Sequence, residues 1–243
     1  MVAPTENPPW SGWDVLLIAL LTIVSVIMFL LIAVFAVQRF LYPNIPVPEV
    51  ATYPLVTLLA QSLAYLLVLA CMIAMVKRRS GREFLVAIRW NWPVRWPFYV
   101  LAGLSLSVVI AGLGRLLPIP DELPIDQFFR TPRQALISLL FGTTLGPLWE
   151  ELFFRGSLYP VLARRLRVVP AVFVTSLSFS LIHVPQLKGA WAPVLLIFLV
   201  GLTLTITRAV TKSVAAGLLM HVTYNGTFAA LMMFAKTDGF RHF

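Results

Sequence analysis

WDVLLIALLTIVSVIMFLLIAVFAV, residues 13–37, is the longest apolar run near the start of the chain. Asp14 is its single charged residue, and the apolar run behind it exceeds the roughly 20 residues that a helix needs to cross a bilayer. It is too long for the apolar core of a secretory signal. No basic segment precedes it, and Glu6 and Asp14 lie at its start. It is therefore expected to stay in place as a transmembrane helix. Trp10 and Trp13 read as anchors at the membrane interface just ahead of it.

Similar apolar blocks recur at about 51–76, 97–114, 134–154, 168–185, 191–208 and 213–235. The third, fifth and sixth blocks of the chain are short or interrupted. The reading is an all-α, polytopic membrane bundle of about seven transmembrane helices, within a range of six to eight. The composition agrees: 59% of residues are hydrophobic, 12% are charged and the mean hydropathy is +0.88. A β-barrel would show short alternating segments instead. The 243 residues fit one membrane domain, 1–243, with no internal repeat. The lone Cys71 excludes a disulfide framework, a cysteine metal site and a CxxC redox motif.

The net charge of +9 reads as basic loops on one side of a membrane rather than as a nucleic-acid surface. Six Lys or Arg lie in 77–95, four in 155–167 and two, Arg208 and Lys212, at the turn near 208–212. Under a seven-helix count all twelve share a side, leaving seven of the nineteen for the other. The positive-inside rule then places the N-terminus in the cytoplasm, with the inner (plasma) membrane as the expected location. Trp90, Trp92 and Trp96 suit a segment lying on the membrane surface.

Against this background the stretch PLWEELFFRG, 147–156, is anomalous, because charge inside a membrane segment marks a functional site by default. Glu151 and Arg155 are four residues apart and share a helix face, so they can pair. Glu150 points about 100° away and lacks that partner. His183 and His221 are the histidines within apolar helices, while His242 reads as a solvated tail residue. His221 and Asn225 share a face that Gly217 continues, and Ser176, Ser180 and His183 form a polar stripe. Phe179 lies one turn before His183 and can pack beside it. Glu150 precedes the turn at Leu166 by about as many residues as His183 follows it, so a helical hairpin sets the two level. Pro147 removes a backbone bond to Thr143, and Gly142 and Gly146 weaken the same turn. Opened backbone at membrane depth is tolerated where it faces protein or a wet cavity.

A carboxylate, two imidazoles and a carboxamide can thus converge. There is no GxSxG elbow and no HExxH motif. The economical chemistry is attack of water on a carbonyl: Glu150 as general base, His183 sharing the water, His221 and Asn225 donating to the oxyanion, and Glu151 with Arg155 as support. No metal and no cofactor is expected. The expected partners are membrane lipids and a peptide or membrane-protein substrate, not nucleic acid.

EELFFR fits EExxxR, FSLIH fits FxxxH and HVTYN fits HxxxN. In this order, on successive apolar helices, they resemble the motifs of the CAAX protease and bacteriocin-processing (CPBP, or Abi) family of intramembrane proteases. The motifs span 150–225 and the matching core about 130–235, and the first helices carry none. The resemblance implies a metal-independent glutamate endopeptidase, with Glu150 and His183 as the water-activating pair and His221 and Asn225 as the oxyanion pair. It also implies about eight helices rather than seven.

Other readings stay open at this stage. Glu150 and Glu151 could be an interfacial pair, and His221 with Asn225 could be polar glue between helices. The chain could be a non-enzymatic immunity or scaffold protein or a small transporter. A zinc peptidase could use Glu150, His183 and His221 as ligands.

Overall fold

A computed structural model describes residues 7–240, with side chains to residue 230. His242 and the side chains of 231–235, the LMMFA stretch, lie outside the described residues. The described chain is helical, joined by turns and short loops. We number its longer helices α1 (Gly12–Phe40), α2 (Pro54–Ser80), α3 (Trp96–Gly114), α4 (Pro132–Thr143), α5 (145–166), α6 (Val168–Leu181), α7 (Trp191–Thr211) and α8 (Val214–Phe240). Short helical segments at Val47–Val50, Phe84–Ala87, Pro124–Phe129 and Val184–Leu187 punctuate the connections. Among the described residues α1, α2, α3 and α7 are long and apolar enough to cross a membrane, and α6 is a shorter apolar helix.

Local signals explain the helix ends. Ser11 caps α1 in a reciprocal box with Asp14, whose carboxylate also binds Arg79 at 2.8 Å. Pro54 opens α2, and Gly81, at φ 63°, closes it in the left-handed region that glycine tolerates. Thr131 and Pro132 open α4.

The basic segments gather at one end of the bundle. Arg79 meets Asp14 there, the Arg165 guanidinium lies against Gly12, and Asn91 Nδ2 donates to the Lys212 carbonyl. The Val214 amide donates to the Arg89 carbonyl. The 84–95 segment does more than rest on the surface: Ala87 and Ile88 are buried against the core, while Trp92 and Trp96 stay exposed. Trp10 is a correction. It is not an interface anchor but a buried residue, because its indole N–H finds the Gly156 carbonyl at 3.1 Å. Trp13, beside it, is the exposed one.

Lipid removes most of the hydrophobic drive between helices, so close packing must replace it. At the α3–α8 crossing a Cβ on Gly103 would stand 2.5 Å from the Met220 carbonyl oxygen. Only glycine permits that approach.

The fourth apolar block is not one continuous helix. It breaks at Thr144, whose φ and ψ are −125° and −88°. Pro147 explains the position, since it offers no N–H to Thr143. Helix α5 then begins at Leu145 and runs as a π-turn through Glu151–Leu158. Such wide turns inside α-helices are frequent at functional sites.

Candidate active site

Helix α5 presents Glu150 and Glu151 to different surroundings. Glu151 is fully buried and its Oε1 accepts two charge-bearing contacts, from Arg155 Nη1 at 3.0 Å and from His221 Nδ1 at 3.0 Å. Its Oε2 has no hydrogen-bond partner and packs on Gly217, where an added Cβ would lie 2.7 Å away. Gly217 is therefore the clearance that lets α8 pass the acid.

Arg155 is also fully buried. Nη2 donates to the Gly201 carbonyl at 3.0 Å and Nε to Thr205 Oγ1 at 3.2 Å. The guanidinium lies 4.5 Å from the centre of the Phe179 ring, in the range of a cation–π contact. That ring also stands 5.1 Å from the His183 ring and 5.9 Å from the His221 ring. Phe179 thus packs against His183, as its spacing suggests, and against Arg155 and His221 as well.

Glu150 keeps 19% of its side chain accessible and His183 17%. Oε1 of Glu150 lies 3.7 Å from His183 Nε2, and Oε2 lies 3.5 Å from His221 Nε2. Both separations exceed a direct hydrogen bond of normal length. The Nδ1 atoms explain what the Nε2 atoms can do. His183 Nδ1 is 2.8 Å from the Phe179 carbonyl and must carry a proton to bond it. His221 Nδ1 is paired with the Glu151 carboxylate and carries one too. In their neutral forms both rings therefore turn an unprotonated Nε2 toward a carboxylate. Three acceptors converge on a space that calls for a proton donor.

Asn225, one turn beyond His221, donates from Nδ2 to the Gly142 carbonyl at 2.7 Å. Gly142 sits in the last turn of α4, where carbonyls lack partners within the helix. The break at Thr144 and the carboxamide are thus coupled, and Nδ2 retains a second hydrogen. Trp149 is walled by the ring of Tyr65 from α2, stacked at 5.1 Å, and Tyr65 also stacks on Phe141 at 6.1 Å.

Residues named from sequence come together here: Glu150, His183 and His221 around one space, Glu151 with Arg155, and Phe179 against three of them. The polar stripe turns inward, since Ser176 is buried with its Oγ 3.3 Å from Thr205 Oγ1. The link between Glu151 and His221 joins residues 70 apart and had no sequence signal, although Gly217 on the His221 stripe was visible. Thr205, Gly201 and Tyr65 were missed as well. They lie outside the motifs, and Thr205 and Gly201 reveal themselves only through the buried guanidinium. Among the described residues no group of three or more His, Cys, Asp or Glu side chains is placed to hold a metal ion.

Residues 132–227 match the model of a family described as Rce1-like, type II CAAX prenyl endopeptidase Rce1-like. The matched span runs from the start of α4 into α8 and contains Glu150, Glu151, Arg155, Phe179, His183, His221 and Asn225, but not Tyr65. No curated relative and no solved structure matches the chain. The three ordered motifs, the apolar helices that carry them and this match agree: residues 132–227 are similar to the Rce1-like family, which fits the resemblance to the CAAX protease and bacteriocin-processing (CPBP/Abi) family, and the long apolar helices fit an integral membrane protein.

Proposed function

We propose that the protein is a metal-independent intramembrane endopeptidase that cleaves a peptide bond with water activated by Glu150 and His183. The supporting observation is the Glu150 carboxylate held between two imidazole Nε2 atoms at 3.7 and 3.5 Å, beyond direct hydrogen-bond length, with Glu150 keeping 19% of its side chain accessible. A water there donates one proton toward Glu150 and the other toward His183 Nε2. Glu150 takes its proton as the water oxygen attacks the scissile carbonyl. The carbonyl becomes an oxyanion, and the acquired proton passes to the departing amine.

The oxyanion needs donors. Asn225 has a free Nδ2 hydrogen once Gly142 has fixed the carboxamide. His221 offers an Nε2 hydrogen when it is the imidazolium, with Nδ1 already held by Glu151. Arg155 pairs with Glu151 at 3.0 Å and holds this acid beside the site. Each such donor is worth about 3–4 kcal/mol in related chemistry. Residues 130–235 form the protease core in this reading. The basic end of the bundle faces the cytoplasm, and the location is the plasma (inner) membrane. Lipids and a peptide or membrane-protein substrate are the partners, without nucleic acid.

The test uses purified protein in lipid nanodiscs and a quenched fluorescent peptide ending in a farnesylated Cys-a-a-X sequence, beside an unmodified transmembrane peptide. Wild-type protein cleaves at least one of them, and a chelator leaves the rate unchanged. His183→Ala abolishes the signal while the protein stays folded. Full cleavage by folded His183→Ala, or a rate lost to chelation and restored by zinc, sinks the mechanism.

A further inference from the structure

Helix α7 carries none of the three motifs, yet it provides two of the three polar anchors of Arg155. We propose that Thr205 is a positioning residue for the reaction, acting through Arg155 and Glu151 on His221. This rests on the proteolytic reading above.

The hydroxyl of Thr205 has a fixed polarity. Its one proton goes to the Gly201 carbonyl at 2.7 Å, so its oxygen faces Arg155 Nε, 3.2 Å away, as an acceptor. Gly201 in turn accepts from Arg155 Nη2. The guanidinium is planar, so holding Nε and Nη2 on one helix fixes its rotation as well as its place. Its third contact, Nη1, then reaches Glu151 Oε1 in a single orientation.

That orientation matters because Glu151 is held by one oxygen. Oε2 has no partner to resist rotation, and Oε1 bonds both Arg155 and His221. A guanidinium free to turn about Nε would carry the carboxylate with it, and the His221 ring with the carboxylate. His221 Nε2, 3.5 Å from Glu150, would leave its place. The close approach of α7 makes this possible. A Cβ on Gly201 would stand 2.9 Å from Phe179 Cδ1 and 3.2 Å from the Ser176 carbonyl oxygen. One helix thus sets both the arginine and the ring that packs on His183 and His221.

The experiment compares Thr205→Val, which keeps the shape and loses the acceptor, with Thr205→Ser, which keeps it. Each is measured in nanodiscs on whichever of the two peptides wild type cleaves, beside Glu150→Gln. A second readout needs no substrate: the ring-nitrogen NMR signals of the three histidines in 15N-labelled protein. Thr205→Val is expected to lower kcat about 10-fold, the worth of a hydrogen bond to a charged group, with KM within about twofold. It displaces the His221 ring signals. Thr205→Ser restores rate and signals together.

Unchanged kcat with unchanged His221 signals in folded Thr205→Val overturns the inference. So does a loss that Thr205→Ser shares and that follows the fraction unfolded, which makes Thr205 a packing residue only. Failure of the parent reading looks different: Glu150→Gln still cleaves, or wild type cleaves neither peptide. The His221 signals then decide the Thr205 linkage alone, and their constancy in Thr205→Val refutes it.

Discussion

Two adjacent carboxylates occupy opposite kinds of surroundings. Around Glu151 everything is sealed: the acid, Arg155 and His221 are buried and the contacts are 3.0 Å. Around Glu150 the acid and His183 are part-exposed, and the separations, to His221 and His183, are 3.5 and 3.7 Å. A charge inside a membrane segment costs about 2.5–3.5 kcal/mol or more, so neither acid is there by neglect. Tight contacts on one side hold the geometry. Loose contacts on the other leave space for a reacting molecule. One ring serves both, since His221 faces Glu151 with Nδ1 and Glu150 with Nε2.

That contrast can be broken from the sealed side first. Arg155→Met removes the cation and leaves Glu151 as a buried, unneutralised acid. A loss of about 3–5 kcal/mol is expected, read as a large drop in thermal midpoint in nanodiscs together with lost cleavage. A midpoint equal to wild type would mean that the sealed side does not hold the fold. Changing the open side should separate the two properties. Glu150→Gln keeps the volume and removes the base, so cleavage falls about 10³-fold while the midpoint stays near wild type.

Smaller changes sharpen the boundary between the two sides. Gly217→Ala pushes a methyl toward Glu151 Oε2, with an expected destabilisation of about 1–3 kcal/mol. Cleavage should fall beyond what unfolding explains, because Glu151 carries His221; stability lost with kcat intact would argue against that coupling. The weakest perturbation is Trp10→Phe, which leaves the Gly156 carbonyl without its indole donor. About 1 kcal/mol is expected in thermal unfolding, and cleavage measured at low temperature should not change.

Much of this architecture was legible because lipid imposes a plain rule. Apolar blocks at 97–114 and 191–208 match helices Trp96–Gly114 and Trp191–Thr211 closely, since their outward faces need only be apolar. Pro147 with its flanking glycines marked the break of the fourth block, though not that Thr144 would split it into two helices. Counting outward from Leu166 placed Glu150 level with His183, and the two lie 3.7 Å apart even though α5 carries a π-turn and α6 stops at Leu181. What stayed hidden was pairing between residues with no common period. Trp10 reaches Gly156 across 146 residues, Asn225 reaches Gly142 across 83, and Arg155 meets Thr205 across 50. Each is a polar group that must find a partner away from water, and hydropathy says only that one is needed.

The interruption at Thr144 has a wider consequence. A helix stopped inside oil cannot leave its final acceptors bare, so the chain is obliged to station a donor opposite them. In this molecule Asn225 takes that post. An obligation of main-chain chemistry thereby ties the end of α4 to α8 and fixes a carboxamide one turn beyond His221.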